Sequence, residues 1–217
     1  TMLDQPEPRS LAERRNEATR EAIVESAWSL SRSHGLTGWS MRQLADAVGV
    51  KAPTLYAYFA AKGAIYDVMF QQSYEDLDSS GDAAQYLATY SAREAFKLAA
   101  HSFFAFCVED PSRYQLMFQR TIPGFEPSEQ AYAASMRSYE RFAEQLASVS
   151  VTEPGHLDLW TAMISGLTSQ QISNDPGGDR WQRLVDAAVD LFCDHVGIPP
   201  EGEPTPCPPA SNTCHSP

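Results

Sequence analysis

Residues 40–62 read SMRQLADAVGVKAPTLYAYFAAK, and this stretch decides how the rest of the chain is read. Ser40 stands as an N-cap with Gln43 three residues on, and Met41, Leu44, Ala45 and Val48 follow the i, i+3, i+4, i+7 spacing of a short helix. Gly49 stops that helix. Pro53 suits the first turn of the next one, where a missing N–H costs nothing, and Leu55 and Phe59 share a face. Two helices that cross closely need a small residue at the contact and, four positions later, one that tolerates positive φ in the turn. Ala45 and Gly49 meet that spacing, so the stretch predicts a helix-turn-helix.

Working outward, Ile23, Ala27 and Leu30 mark a helix from about Leu11 to His34, ended by Gly35. A fourth helix runs from Lys62 through Ile65, Val68 and Met69 to about Leu77, before the Ser79-Ser80-Gly81 break. Helical stripes continue at Phe96, Ala100, Phe103 and Cys107; at Tyr132, Met136, Tyr139, Ala143 and Leu146; and at Leu157, Trp160, Ile164, Leu167 and Gln171. A last helix carries Trp181, Leu184, Val185, Ala188 and Phe192. Asp110-Pro111, Pro123-Gly124, Pro154-Gly155 and Pro176-Gly177 punctuate the stripes, and no strand pattern competes. The expectation is an all-α protein: a three-helix DNA-binding domain over 10–62, a helical domain over 63–197, and a disordered Pro-rich tail over 198–217.

The net charge of −12 argues against a DNA binder until it is divided along the chain. Residues 1–70 hold eight cations, Arg9, Arg14, Arg15, Arg20, Arg32, Arg42, Lys51 and Lys62, against eight carboxylates, so the whole excess falls on the remainder. A neutral N-terminal part can gather cations on one face, while the acidic remainder is repelled by phosphate and faces away. With no apolar run near the roughly 20 residues that span a bilayer, and a polar N-terminus, the expected location is the cytoplasm and no membrane partner is expected. Thr1, which precedes Met2, is set aside as foreign to the fold. Cys107, Cys193, Cys207 and Cys214 are too scattered for a disulfide framework, and Cys207, Cys214 and His215 lack the close ligand pair of a metal site, so neither metal nor cofactor is expected.

The segment from Ser40 to Lys62 strongly resembles the DNA-binding domain of the TetR family, on Gly49-Val50, Thr54-Leu55-Tyr56, Tyr58-Phe59 and Lys62. The resemblance covers roughly residues 15–75 and implies a ligand-responsive regulator, most often a repressor, binding a palindromic operator in duplex DNA as a homodimer. A recognition helix presents its N-terminal residues to base edges while flanking groups hold phosphates, which makes Lys51, Ala52 and Thr54 the candidate base readers. Ser40, Arg42, Tyr56, Tyr58 and Lys62 are the candidate phosphate contacts. The competing readings are a solvated cation for Lys51, a surface residue for Thr54 and half-buried packing for the two tyrosines.

The same resemblance implies that the last two helices, about 154–173 and 178–196, dimerise, with Trp160, Ile164, Leu167, Trp181, Leu184 and Ala188 at the interface. The near-heptad spacing of Leu157, Trp160, Ile164 and Leu167 fits a shallow crossing, although burial inside one subunit explains it too. The stretch from Leu159 onward is similar to a C-terminal subtype marked by Trp-His-Gly, but Ile164-Ser165-Gly166 stands where the histidine would fall. An unidentified small apolar effector is expected among Phe96, His101, Phe103, Phe104, Tyr114, Phe118, Tyr139 and Trp160, against ordinary core packing for each. An all-helical enzyme would need chemistry that the chain does not display: no HExxH, no GxSxG, no Walker loop and no ExxH pair suited to a di-iron bundle. An architectural DNA-binding protein would carry an excess of cations, whereas this chain has the reverse. Activation in place of repression depends on where the operator lies, which no residue encodes.

Overall fold

A computed structural model describes residues 10–200 apart from Asp82, and among them every regular element is helical. In order these are α1 (Leu11–His34), α2 (Met41–Val48), α3 (Ala52–Tyr58), α4 (Lys62–Ser80), α5 (Ala83–Leu87), α6 (Ala92–Glu109), α7 (Pro111–Phe118), α8 (Glu129–Ser148), α9 (Pro154–Asn174) and α10 (Val185–Val196). The all-α class is as expected. The described residues fold as two compact units: one takes those up to Ser80 together with Phe106–Glu140, the other those of Gly81–Ala105 together with those from Arg141 to Pro200.

In the first unit, α1 begins on a capping box made by Ser10 and Glu13 and ends at Gly35, whose φ of 78° suits only glycine without strain. Its inward stripe of Ile23, Val24, Ala27 and Trp28 meets Leu44 and Ala45 of α2, Leu55 and Phe59 around α3, and Ile65 and Met69 of α4, all buried. This unit extends beyond Lys62, because α4 packs on α1 and α7 through the buried Tyr66, Phe70, Tyr74, Tyr114 and Met117. Asp110 caps α7 by accepting from the Ser112 and Arg113 amides, and it also takes the Arg32 guanidinium at 2.8 Å, fastening α7 to α1.

In the second unit, Phe96, Phe142, Trp160 and Phe192 form a packed aromatic quartet, with Trp160 centroids 5.6, 5.3 and 5.1 Å from the other three. Two expectations need correction here. The last helix begins at Val185, not 178, because side chains at the end of α9 and at its C-cap hold residues 180–182 in an irregular turn. Gln171, wholly buried, accepts from the Trp181 and Gln182 amides, and Asp175 accepts from the Arg180 amide at 2.9 Å. The chain then makes a single 3-10 turn, Gln182–Leu184, before α10. Ile198, placed at the head of the tail, is instead buried, and its carbonyl accepts from Arg93 at 2.6 Å. The rest of that tail, with Cys207, Cys214 and His215, lies outside the described residues beyond Pro200.

Cys107 and Cys193 are buried free thiols, and burial pushes them up to about 12 and about 11. Both should resist alkylation at pH 8 until the fold opens. Peptide mapping after a brief iodoacetamide pulse would show this, and rapid native labelling of Cys107 would contradict its burial.

Candidate nucleic-acid interface

The helix-turn-helix is built by local chemistry. Ser40 and Gln43 close a capping box at the head of α2, each taking the other's backbone N–H. Gly49 leaves α2 in the left-handed region at φ 77°, and the Val50 amide returns to the Ala45 carbonyl at 3.0 Å, which fixes the turn. Lys51 in extended backbone then starts α3, with Pro53 in its first turn. Leu55 and Phe59 anchor the helix from beneath. Arg20 of α1 secures its far end by donating to the Tyr58 carbonyl at 2.8 Å with its guanidinium over the Phe59 ring. Arg20 was not among the sequence candidates, since only the fold brings it 38 residues along the chain to α3.

On that frame, Lys51 and Thr54 are exposed, Tyr56 is 51% exposed, and Ala52 and Tyr58 are half-buried. Ser40 and Arg42, at the head of α2, are exposed as well. Lys62 departs from this group. Its ammonium donates to the Trp39 carbonyl at 2.6 Å and stands 3.8 Å from the centre of the Trp39 indole, and its burial lowers its pKa.

Residues 23–69 match the family model of bacterial regulatory proteins, tetR family. This chain carries the DNA-binding domain of the TetR family. It is 32% identical over 100 residues to the HTH-type transcriptional activator FasR of Mycolicibacterium smegmatis, an alignment covering 46% of this chain and 45% of that protein. Against the tetracycline repressor protein class C of Escherichia coli it is 37% identical over 54 residues, 25% of each chain. The chain thus spans under half the length of the curated relatives it matches. A TetR-family transcriptional regulator from Streptomyces coelicolor superposes with a TM-score of 0.63 at 20% identity, over 82% of this chain and 80% of that one, so the helical remainder shares the TetR fold. These relatives are regulators and not enzymes.

The residues expected to hold an effector are divided by the fold. Tyr114, Phe118 and Tyr139 belong to the first unit, and Phe96, His101, Phe103, Phe104 and Trp160 to the second. Phe96, Phe104 and Trp160 are core. Tyr139 is 43% exposed on α8, where Ala131, Ala134 and Leu146 face inward in its place. His101 is committed to Asp186 of α10 at 2.6 Å.

The residues expected at a dimer face also differ in exposure. Trp160 and Ile164 are 7% and 2% exposed, because α9 turns Leu157, Trp160, Ile164, Thr168 and Gln171 into its own unit. That burial removes them from an interface. Leu167, Trp181 and Ala188 are half-buried and Leu184 is exposed, while Leu191 at 70% and Leu159 at 43%, which the sequence reading missed, carry the largest apolar exposure of α10 and α9. Among the described residues, no helix is long and apolar enough to cross a membrane.

Proposed function

We propose that this TetR-family chain is a ligand-responsive transcriptional regulator that binds a palindromic operator as a homodimer and acts as a repressor. The exposed first turn of α3, with Lys51 and Thr54 held outward by the buried Leu55 and Phe59, carries the reading. Lys51 can donate to guanine O6 or N7, the Thr54 methyl suits a thymine, and Ala52 leaves room for close approach. Ser40, Arg42, Tyr56 and Tyr58 take phosphates and set the register. Dimerisation through Leu184 of the 3-10 turn, Ala188 and Leu191 of α10, and Leu159 and Leu167 of α9 delivers two such helices to half-sites about one DNA turn apart. In that role the protein works in the cytoplasm, on duplex DNA.

Selection from a random duplex library tests this. An inverted repeat should emerge, bound with affinity that falls steeply with salt. On that duplex Lys51→Ala or Thr54→Ala should relax base preference at one position per half-site, at a cost of about 1–3 kcal/mol. Equal loss on selected and random DNA for Thr54→Ala would remove it from the readers.

The alignment with FasR, named an activator, favours a second reading in which the bound dimer activates. In vitro transcription with the selected site placed upstream of or across a promoter separates the two. The inducing ligand is a small, mostly apolar molecule, for which Phe103, half-buried on α6, offers a contact outside the aromatic quartet. A ligand found by thermal shift should bind the DNA-saturated dimer more weakly by the same factor by which it weakens DNA binding.

A further inference from the structure

Lys62 is the first residue of α4, and 23 residues earlier in the chain Trp39 immediately precedes the N-cap of α2. The bond from the Lys62 ammonium to the Trp39 carbonyl therefore joins the end of the segment containing α2, the turn and α3 back to its beginning. The surrounding groups make this a fixed point. Trp39 is buried, and its indole N–H donates to the Ser31 hydroxyl of α1 at 2.9 Å. Tyr66, one turn along α4, sets its ring edge-on to Trp39 at 5.7 Å and donates its hydroxyl to the Leu36 carbonyl. The ammonium lies 3.8 Å from the Trp39 ring centre and 5.3 Å from that of Tyr66, a geometry in which two aromatic faces and one carbonyl compensate its partial desolvation.

We infer that Lys62 is a positioning residue for the DNA-reading helices, acting through Trp39, and not one of the groups that neutralise phosphate. The clasp sets where α2 begins relative to α4. Because α2 carries α3 through the short Gly49 turn, it also sets where the reading helix stands. A phosphate ligand and a clasp differ in salt dependence: removing a phosphate contact shallows the dependence of log affinity on log salt by about one unit, whereas loosening a clasp lowers affinity at every salt concentration alike.

The test uses the full chain as Lys62→Met, which keeps most of the side-chain volume and removes the charge and donor, and as Lys62→Arg, which keeps both. On the duplex recovered by selection, Lys62→Met should bind roughly tenfold more weakly with an unchanged salt slope, and Lys62→Arg should recover most of the loss. In the protein without DNA, hydrogen exchange in Lys62→Met should quicken across 40–48 while the middle of α1 stays protected. A slope shallower by about one unit, or unchanged exchange in α2, overturns the inference. The binding arm rests on the proposed operator function and the exchange arm does not. Failure of the wild-type chain to enrich any sequence would therefore sink that function while leaving the clasp to be decided by exchange.

Discussion

Leu191→Asp should turn the protein into a monomer and cut operator affinity by two orders of magnitude or more. Leu191 is 70% exposed on α10, and Leu184, seven residues earlier at the end of the 3-10 turn that leads into that helix, is 41% exposed. Burying one such leucine is worth roughly 2 kcal/mol, and a twofold interface counts each residue twice. The aspartate removes that gain and adds a carboxylate that must be desolvated without a partner in each subunit, which costs several kcal/mol more. Operator binding then falls because each reading head must find its half-site alone and the effective concentration supplied by its mate is lost, a factor of about 10²–10⁴. The fold itself should survive, since the side chain is mostly outside it. Far-UV dichroism should be unchanged while sedimentation equilibrium reports a single chain. A variant that still sediments as a dimer would place the interface elsewhere. Ile164→Asp, at a position only 2% exposed, should instead unfold the second unit, and this contrast separates interface from core.

What the sequence made legible depended on how local the governing physics was. The helix-turn-helix could be read because each part is encoded within a few residues: Ser40 with Gln43, the φ of 77° at Gly49, and Pro53 in the first turn of α3. Non-local features were read less well. The stripe of Trp181, Leu184, Val185 and Ala188 keeps helical spacing although Trp181 and Leu184 precede α10, because the acceptors that hold that turn, Gln171 and Asp175, sit on α9 and at its C-cap. α9 is apolar on two faces, so the near-heptad of Leu157, Trp160 and Ile164 marked the core as readily as an interface. Lys62 was assigned from resemblance to phosphate, while its partner Trp39 lies across the domain. One signal was present and unused. Arg93, Lys97 and His101 recur every four residues on α6, as do Asp186, Asp190 and Asp194 on α10. The fold zips them together with rungs of 2.6 Å for Arg93–Asp194, 3.1 Å for Lys97–Asp190 and 2.6 Å for His101–Asp186. Matching charge periods on two helices predict such a pairing once the helices are known to be neighbours.

Within that ladder the rungs are unequal, and Arg93→Met should cost about 2–4 kcal/mol while Asp194→Asn costs less than about 1 kcal/mol. The Arg93 side chain is only 7% exposed, yet its carboxylate partners Asp190 and Asp194 are 39% and 64% exposed. An aspartate that loses its partner returns to water, so each ion pair taken singly resembles a surface pair and is worth little. The guanidinium does more than pair. Its Nε donates to the Pro199 carbonyl at 3.2 Å, one terminal nitrogen to the Asp190 carbonyl at 3.3 Å, and the other to the Ile198 carbonyl at 2.6 Å. The Ile198 and Pro199 carbonyls lie just past the end of α10 and the Asp190 carbonyl within it, so the guanidinium ties the segment that leaves the helix back to the helix. Methionine keeps much of the volume but satisfies none of them, and Ile198 loses the bond that helps hold it in the core. The expected result is a lower urea midpoint at matched protein concentration, with faster hydrogen exchange around Cys193 to Ile198. If Arg93→Met and Asp194→Asn shifted the midpoint equally, the ion pair and not the carbonyl cluster would be the source of stability. Acidity offers a second check on Asp190. Burial raises its pKa, but hydrogen bonds from Lys97 and Arg93 outweigh that and hold the carboxyl below the usual range. A depressed folded-state pKa stabilises above the unfolded value and is lost as pH falls through the folded one. The difference between wild type and Asp190→Asn should therefore be full at neutral pH and close on acidification.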